Sequence, residues 1–238
     1  MGLALISAAA SGQTFGAASI RPSAGQVQFE HDGKTEINPG TVTMRDVTAA
    51  TCIKWAYGVQ DSQISGPEWL QSEHFDIVAK ADEPVAAEQM KPMMQSLLAE
   101  RFHLTFHRQR RELTAYAMTV AKGGHKLRES AGETKPYREN SAIGTVARAT
   151  TMKEFADFIS GPLRMPVVDM TGLNGRYDFA LDFTPYLPGG EQVMKVEFDN
   201  TSGIIIAAMQ GELGLKLESK KESVEVLVID RVEKPSEN

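Results

Sequence analysis

Four arginines, Arg101, Arg108, Arg110 and Arg111, surround His103 and His107, and that mixture of residue types is the one that binds phosphate or metal. Phe102, Leu104 and Phe106 alternate with polar neighbours, which predicts a strand. At about 3.3 Å per residue the two histidines lie about 13 Å apart, too far to share one ion. The arginines read as the solvated face of a hairpin, or as a small basic patch for an acidic partner. A second group is Glu73, His74 and Asp76; on a strand His74 and Asp76 share a face and Glu73 points away. Asp178 and Asp182 also share a strand face, with Arg176 just before them, and act together only with help from elsewhere in the fold. His74, Asp76, Arg176 and Asp178 are the set a hydrolase-like enzyme would use, with its site in the cleft between the two halves. Cys52 sits in an apolar run between Ala49 and Ile53 and reads as core, not nucleophile. Trp69 follows Gly66-Pro67-Glu68 and is the aromatic placed to anchor a partner. GxSxG, HExxH, Walker A and GxGxxG are absent, so no catalytic residue, metal ligand or cofactor is assigned.

The whole-chain numbers narrow the classes further. Among 238 residues, 25 Lys and Arg stand against 31 Asp and Glu, a net −6 that disfavours nucleic-acid binding. A single cysteine excludes an internal disulfide, a thiolate metal cluster and a CxxC pair. Apolar runs fall short of the roughly 20 residues that a membrane-spanning helix needs. The opening MGLALISAAASG has the apolar run Leu3 to Ala10 followed by small residues, the h-region and cleavage site of an export signal without its basic start. Export to the periplasm or beyond is the expected localisation, with residues 1–14 as the signal remnant.

These side chains must be positioned by short elements. Ala18-Ser19-Ile20 and Val27-Gln28-Phe29 predict strands between turns at Asp32-Gly33 and Asn38-Pro39-Gly40. Thr43 is expected to cap a buried helix, Met44 to Tyr57, stopped by Gly58. Phe75, Ile77 and Ala79 alternate as a strand. Met90, Met93, Met94, Leu97 and Leu98 form one helical face, and Pro92 is accommodated if that helix starts near Lys91. A hairpin is expected next, turning in the polar run Arg108 to Glu112 and returning as Leu113 to Val120. Residues 123–145, rich in Gly, Lys, Glu, Ser and Pro, read as a linker. Beyond it, Thr151 caps a helix ending at Gly161-Pro162, Val167-Val168 is a short strand, and Asn174-Gly175 turns into Tyr177 to Phe183. A helix from Ile204 to Leu213 and a closing hairpin, Leu213 to Leu217 and Val224 to Ile229, complete the chain.

Both halves therefore read as capped helix, turn, strand, helix and hairpin. Thr43-Met44 answers Thr151-Met152, Phe75-Asp76 answers Tyr177-Asp178, and Phe102-His103-Leu104 answers Leu213-Gly214-Leu215. The expectation is an α+β fold of two tandem, related βαββαβ-like units, 15–122 and 146–238, with mixed or antiparallel sheets and helices packed on one face.

Several stretches carry a family resemblance: FGAASIRPS from Phe15, WAYGVQ from Trp55, QISGPEWL from Gln63, RFHL from Arg101, VAKGG from Val120, PVVDMTGLNGRYD from Pro166 and VLVID from Val226. Together they resemble a large uncharacterised family of exported proteins expanded in soil Acidobacteria, over nearly the whole chain from Phe15. Some members of that family resemble fusions to a BlaR1-type sensor peptidase. Pro92, where a helix former is expected, and Gly16, where an acidic residue is usual, depart from its pattern. Phe155 to Ile229 also resembles the short N-terminal module of secretins and TonB-dependent receptors. What these resemblances imply is an envelope binding, interaction or sensory module without turnover, whose partner is a protein or an envelope polymer.

Overall fold

The computed structural model describes residues 14–23, 33–132, 134–141, 143–187 and 201–235. The signal segment before residue 14 and the strand expected at Val27-Gln28-Phe29 lie outside the described residues. The fold is α+β: among the described residues, four helices accompany twelve strands in three open sheets. The chain divides into two compact units, residues 1–109 with 227–238, and residues 110–226.

In the first unit, strands β1 (Ala17–Pro22), β2 (Lys34–Asn38), β3 (Thr41–Thr48) and β5 (His74–Lys80) form an antiparallel sheet of order β1-β5-β3-β2. Strand β4 is the two-residue Ile64–Ser65. Ile20, Val42, Met44, Ile77 and Ala79 point from one face of that sheet into a core shared with helices α1 (Ala49–Tyr57) and α2 (Ala87–Arg101). Met90, Met93, Met94, Leu97 and Leu98 are the buried face of α2, so this methionine cluster is core. Cys52 is buried in the same core with its Sγ 3.7 Å from the sulfur of Met44.

Two helix starts differ from the sequence expectation. The apolar run from Met44 does not begin a helix: β3 continues through it, and Thr48, not Thr43, caps α1 by accepting the Thr51 N–H at 3.2 Å. Gly58, at φ +66°, stops that helix as expected. Helix α2 begins at Ala87, where the Gln89 side chain accepts the Ala86 N–H at 3.2 Å, so Pro92 lies in its second turn. The burial of five apolar side chains outweighs the one helical hydrogen bond that a proline removes.

The second unit repeats this layout on a second antiparallel sheet. Strands β7 (Arg128–Glu129), β8 (Tyr137–Ser141), β9 (Gly144–Thr150) and β11 (Tyr177–Asp182) take the order β7-β11-β9-β8. The stretch 123–145 thus carries two strands and the start of a third instead of being a linker; its polar composition reflects edge strands with exposed side chains. Helix α3 (Met152–Leu163) runs past the expected stop and ends at Arg164, φ +50°. Helix α4 (Thr201–Ala208) continues as a π turn, Met209–Leu213. Met152, Phe155, Ile159, Ile205, Met209 and Leu213 meet Ala147, Phe179 and Leu181 in the second core.

The third sheet, of order β10-β6-β12-β4, is made by β10 (Val167–Asp169), two long strands and β4. β6 spans Thr105–Val120 and β12 spans Leu215–Arg231, each replacing an expected hairpin. The polar runs taken as turns, Arg108 to Glu112 and Ser219 to Glu222, stay extended because they contain no Gly, Pro or Asn to bend the chain.

Each long strand follows a left-handed residue at a helix end: His103 at φ +50° and Gly214 at φ +64°. A Cβ at Gly214 would sit 2.2 Å from the Gly124 carbonyl oxygen. Gly214→Ala is therefore expected to destabilise the second unit by more than about 1 kcal/mol. His103→Gly relieves the same backbone constraint in the first unit and is expected to be neutral or stabilising by up to about 1 kcal/mol. Urea unfolding midpoints of the two variants check both signs.

Candidate functional site

The polar residues singled out in the sequence meet the backbone at two corners, one in each unit, where a strand turns into a capped helix. In the first unit the pairing of β3 with β5 shifts register between Met44 and Val47, a bulge that places Asp46 at φ +54°. Asp46 is buried, and its amide has to find an acceptor inside the protein. Asp76 Oδ1 provides it at 2.8 Å. The Asp46 carbonyl faces His74 Nδ1 at 2.8 Å; a carbonyl only accepts, so this contact requires the proton on Nδ1. The Asp46 carboxylate lies 3.4 Å from the same nitrogen. Two residues later Thr48 caps α1.

The second unit builds the same corner from other residue types. The pairing of β9 with β11 is irregular between Tyr177 and Phe179, and Ala149 stands at φ +47°. Its amide donates to Asp178 Oδ1 at 2.9 Å, and its carbonyl accepts from Arg176 Nη1 at 2.6 Å. Thr151 then caps α3, accepting the Glu154 N–H at 3.2 Å while Glu154 Oε2 accepts the Thr151 N–H at 2.8 Å. The same Glu154 carboxylate lies 3.4 Å from Arg176. Arg128 adds a 3.1 Å ion pair to Asp178. The Ala149 amide foremost, with Arg128 among the others, holds the Asp178 carboxyl below the usual carboxylate range.

The four members of the acid/base set thus fall as two pairs. His74 and Asp76 clamp the carbonyl and amide of Asp46; Arg176 and Asp178 clamp those of Ala149. His74 to Arg176 and Asp76 to Asp178 are both steps of 102 positions, while Asp46 to Ala149 and Thr48 to Thr151 are both steps of 103. The helix start that answers Thr151 is therefore Thr48, and the earlier alignment of Thr43-Met44 with Thr151-Met152 is displaced by five residues. Asp46 and Ala149 are the corner residues that sequence reasoning missed, because a break in strand register interrupts the periodicity and leaves no regular pattern.

The arginines do not form one face. Arg101 closes α2, its Nε 3.4 Å from the Glu100 carboxylate. Arg108, Arg110 and Arg111 are exposed on β6; Arg108 lies 6.0 Å from the Phe106 ring centroid, and Arg110 donates to the Ser223 carbonyl at 3.4 Å. Strand alternation puts Arg111 opposite the other two. His103 and His107 have separate acidic neighbours, Glu233 at 3.8 Å and Asp230 at 2.8 Å. Trp69 sits in a 3-10 turn, Glu68–Gln71, half-buried against the first core instead of standing clear of it. Glu73 pairs with Lys234 at 2.7 Å. Among the described residues, no group of three or more His, Cys, Asp or Glu is arranged to hold a metal ion.

Each unit has a cavity among its described residues. One, of about 400 Å³, is lined by Ile37, Pro39, Pro84, Val85 and Ala87; the other, of about 530 Å³, by Lys126, Ile206, Ala207 and Gln210. None of the candidate residues lines either.

The sequence model of a family described as a protein of unknown function, DUF3738, matches residues 50–232. The chain belongs to that family. No curated protein and no solved structure matches it. The DUF3738 match starts just after Thr48, so it takes in α1, β5 with His74 and Asp76, and the whole corner at Ala149. No helix among the described residues is long and apolar enough to cross a membrane.

Asp76→Ala and Asp178→Ala each leave a corner amide without its acceptor and are expected to lower the melting temperature; the Asn variants, which keep an acceptor oxygen, lower it less. Because the folded-state Asp178 carboxyl is held low, its contribution is present above the unfolded value of about 4 and is lost as the pH falls through the folded one. Melting temperature measured between pH 7 and pH 3 should fall less steeply in Asp178→Asn than in the wild type.

Proposed function

We propose that this DUF3738 chain is an exported, non-catalytic binding or sensory module built from two copies of one α+β unit, with a protein or an envelope polymer as its partner. The pair of matched corners carries the reading. The residues best suited by type to acid and base chemistry are engaged, in both units, in holding the same backbone turn, a task that requires no turnover. Their near-constant spacing, and the shared left-handed helix ends at His103 and Gly214, 111 positions apart, support duplication of a unit. The run Leu3 to Ala10 supports export. The resemblance to the short module of secretins and TonB-dependent receptors supports recognition in the envelope. Trp69 is the favoured contact residue: an indole half-covered by core, in a short turn that offers its other face to a partner.

Immobilised full-length protein is exposed in parallel to purified cell-wall polymer and to a native envelope extract. Wild type is expected to retain one of them specifically, and Trp69→Ala to lower that retention about tenfold, in keeping with a central aromatic anchor. Equal recovery by wild type and variant, at the level of a blank matrix, would sink the binding reading at this residue.

A further inference from the structure

We infer that the two units are joined by reciprocal strand exchange, so that each is completed by the far half of the strand that begins in the other. β6 leaves α2 in the first unit, but its residues from Arg110 onward belong to the second. β12 leaves α4 in the second unit, but from Leu227 onward it belongs to the first.

Each far half fills a place that its host unit cannot fill otherwise. In the first unit, Leu227 is fully buried in the core and Ile229 and Val232 pack against it. Leu227 pairs in parallel with Ile64 of β4. His107 meets Asp230 at 2.8 Å, the Glu233 amide donates to the Phe102 carbonyl at 2.7 Å, and Lys234 meets Glu73 at 2.7 Å. In the second unit, Met118 is fully buried in the core with Tyr116 and Val120 packed against it. Tyr116 and Ala117 pair in parallel with Val167 and Val168 of β10.

The exchange is symmetric at the level of single residues. Tyr116 to Leu227 and Met118 to Ile229 are both steps of 111, equal to that between His103 and Gly214, and their partners Ile64 and Val167 are 103 apart. An accidental tail would not return to the equivalent β-strand partner in both directions. β6 changes unit within its exposed polar run, Arg108 to Glu112, and β12 changes unit at Val226–Leu227, a few residues past its own polar run Ser219 to Glu222. The first unit is therefore not one continuous stretch of chain, and the polar segment near residue 135 lies inside the second.

The test is a protease recognition sequence inserted in the full-length protein between Lys135 and Pro136, both exposed. After complete cleavage the two fragments are expected to elute as one species in native buffer and to separate only in denaturant. Hydrogen exchange on the uncut protein adds a direct readout. Ile53→Ala, or the milder Ile53→Val, weakens the first core, and is expected to speed amide exchange at Leu227–Arg231 together with α1, about tenfold or more for the alanine variant, while Leu215–Val224 stays protected. Separation of the cut fragments under native conditions, or exchange at Leu227–Arg231 that ignores the first core and follows the second, would overturn the inference.

Discussion

A backbone amide in a left-handed corner, held by the carboxylate of the neighbouring strand, is the contact from which the rest of each unit follows. A non-glycine residue at positive φ costs about 1 kcal/mol or more, and a buried amide without an acceptor costs further. Asp46 and Ala149 occupy such corners, and Asp76 and Asp178 take up their amides. Because the bulge redirects the chain, the following threonine becomes a helix cap, and the helix it starts lies with its apolar face against the sheet it has just left. Sheet, corner, cap and core are one arrangement made twice.

The same arrangement explains which side chains are occupied and which are variable. The clamp requires an acceptor for the amide and a donor for the carbonyl, and only the first is the same residue type in both units. Histidine donates in one and arginine in the other, with the arginine tied also to Glu154 of the cap. An imidazole and a guanidinium share little beyond an N–H, so it is the hydrogen bond and not the acid or base chemistry that is common to the two corners.

Much of the local structure was legible in the sequence. The alternation from Phe75 to Lys80 and from Tyr177 to Asp182, the methionine face of α2, the Thr151 cap and the turn before Tyr177 all follow from periodicity and capping chemistry acting over a few residues. The corner at Asp46 was not legible, because a bulge breaks the period by which strands are read, and the apolar residues of β3 then pass for a helix. The polar stretches of β6 and β12 were misread for a related reason: without an apolar side they look like turns, although nothing in them bends the chain.

The candidate residues divide along the same line. Residue types and spacing alone determined an acidic α+β chain with one buried cysteine and a methionine-rich core helix. Tertiary structure decided that His74, Asp76, Arg176 and Asp178 act as two backbone clamps, and that each core takes in a strand begun in the other unit. Those outcomes depend on hydrogen bonds and strand pairs between residues from about 30 to more than 100 positions apart, such as Asp46 with Asp76 and Ile64 with Leu227. Local propensity carries no information about such pairings, whereas the burial of unsatisfied amides and apolar strand ends leaves the folded chain little choice among them.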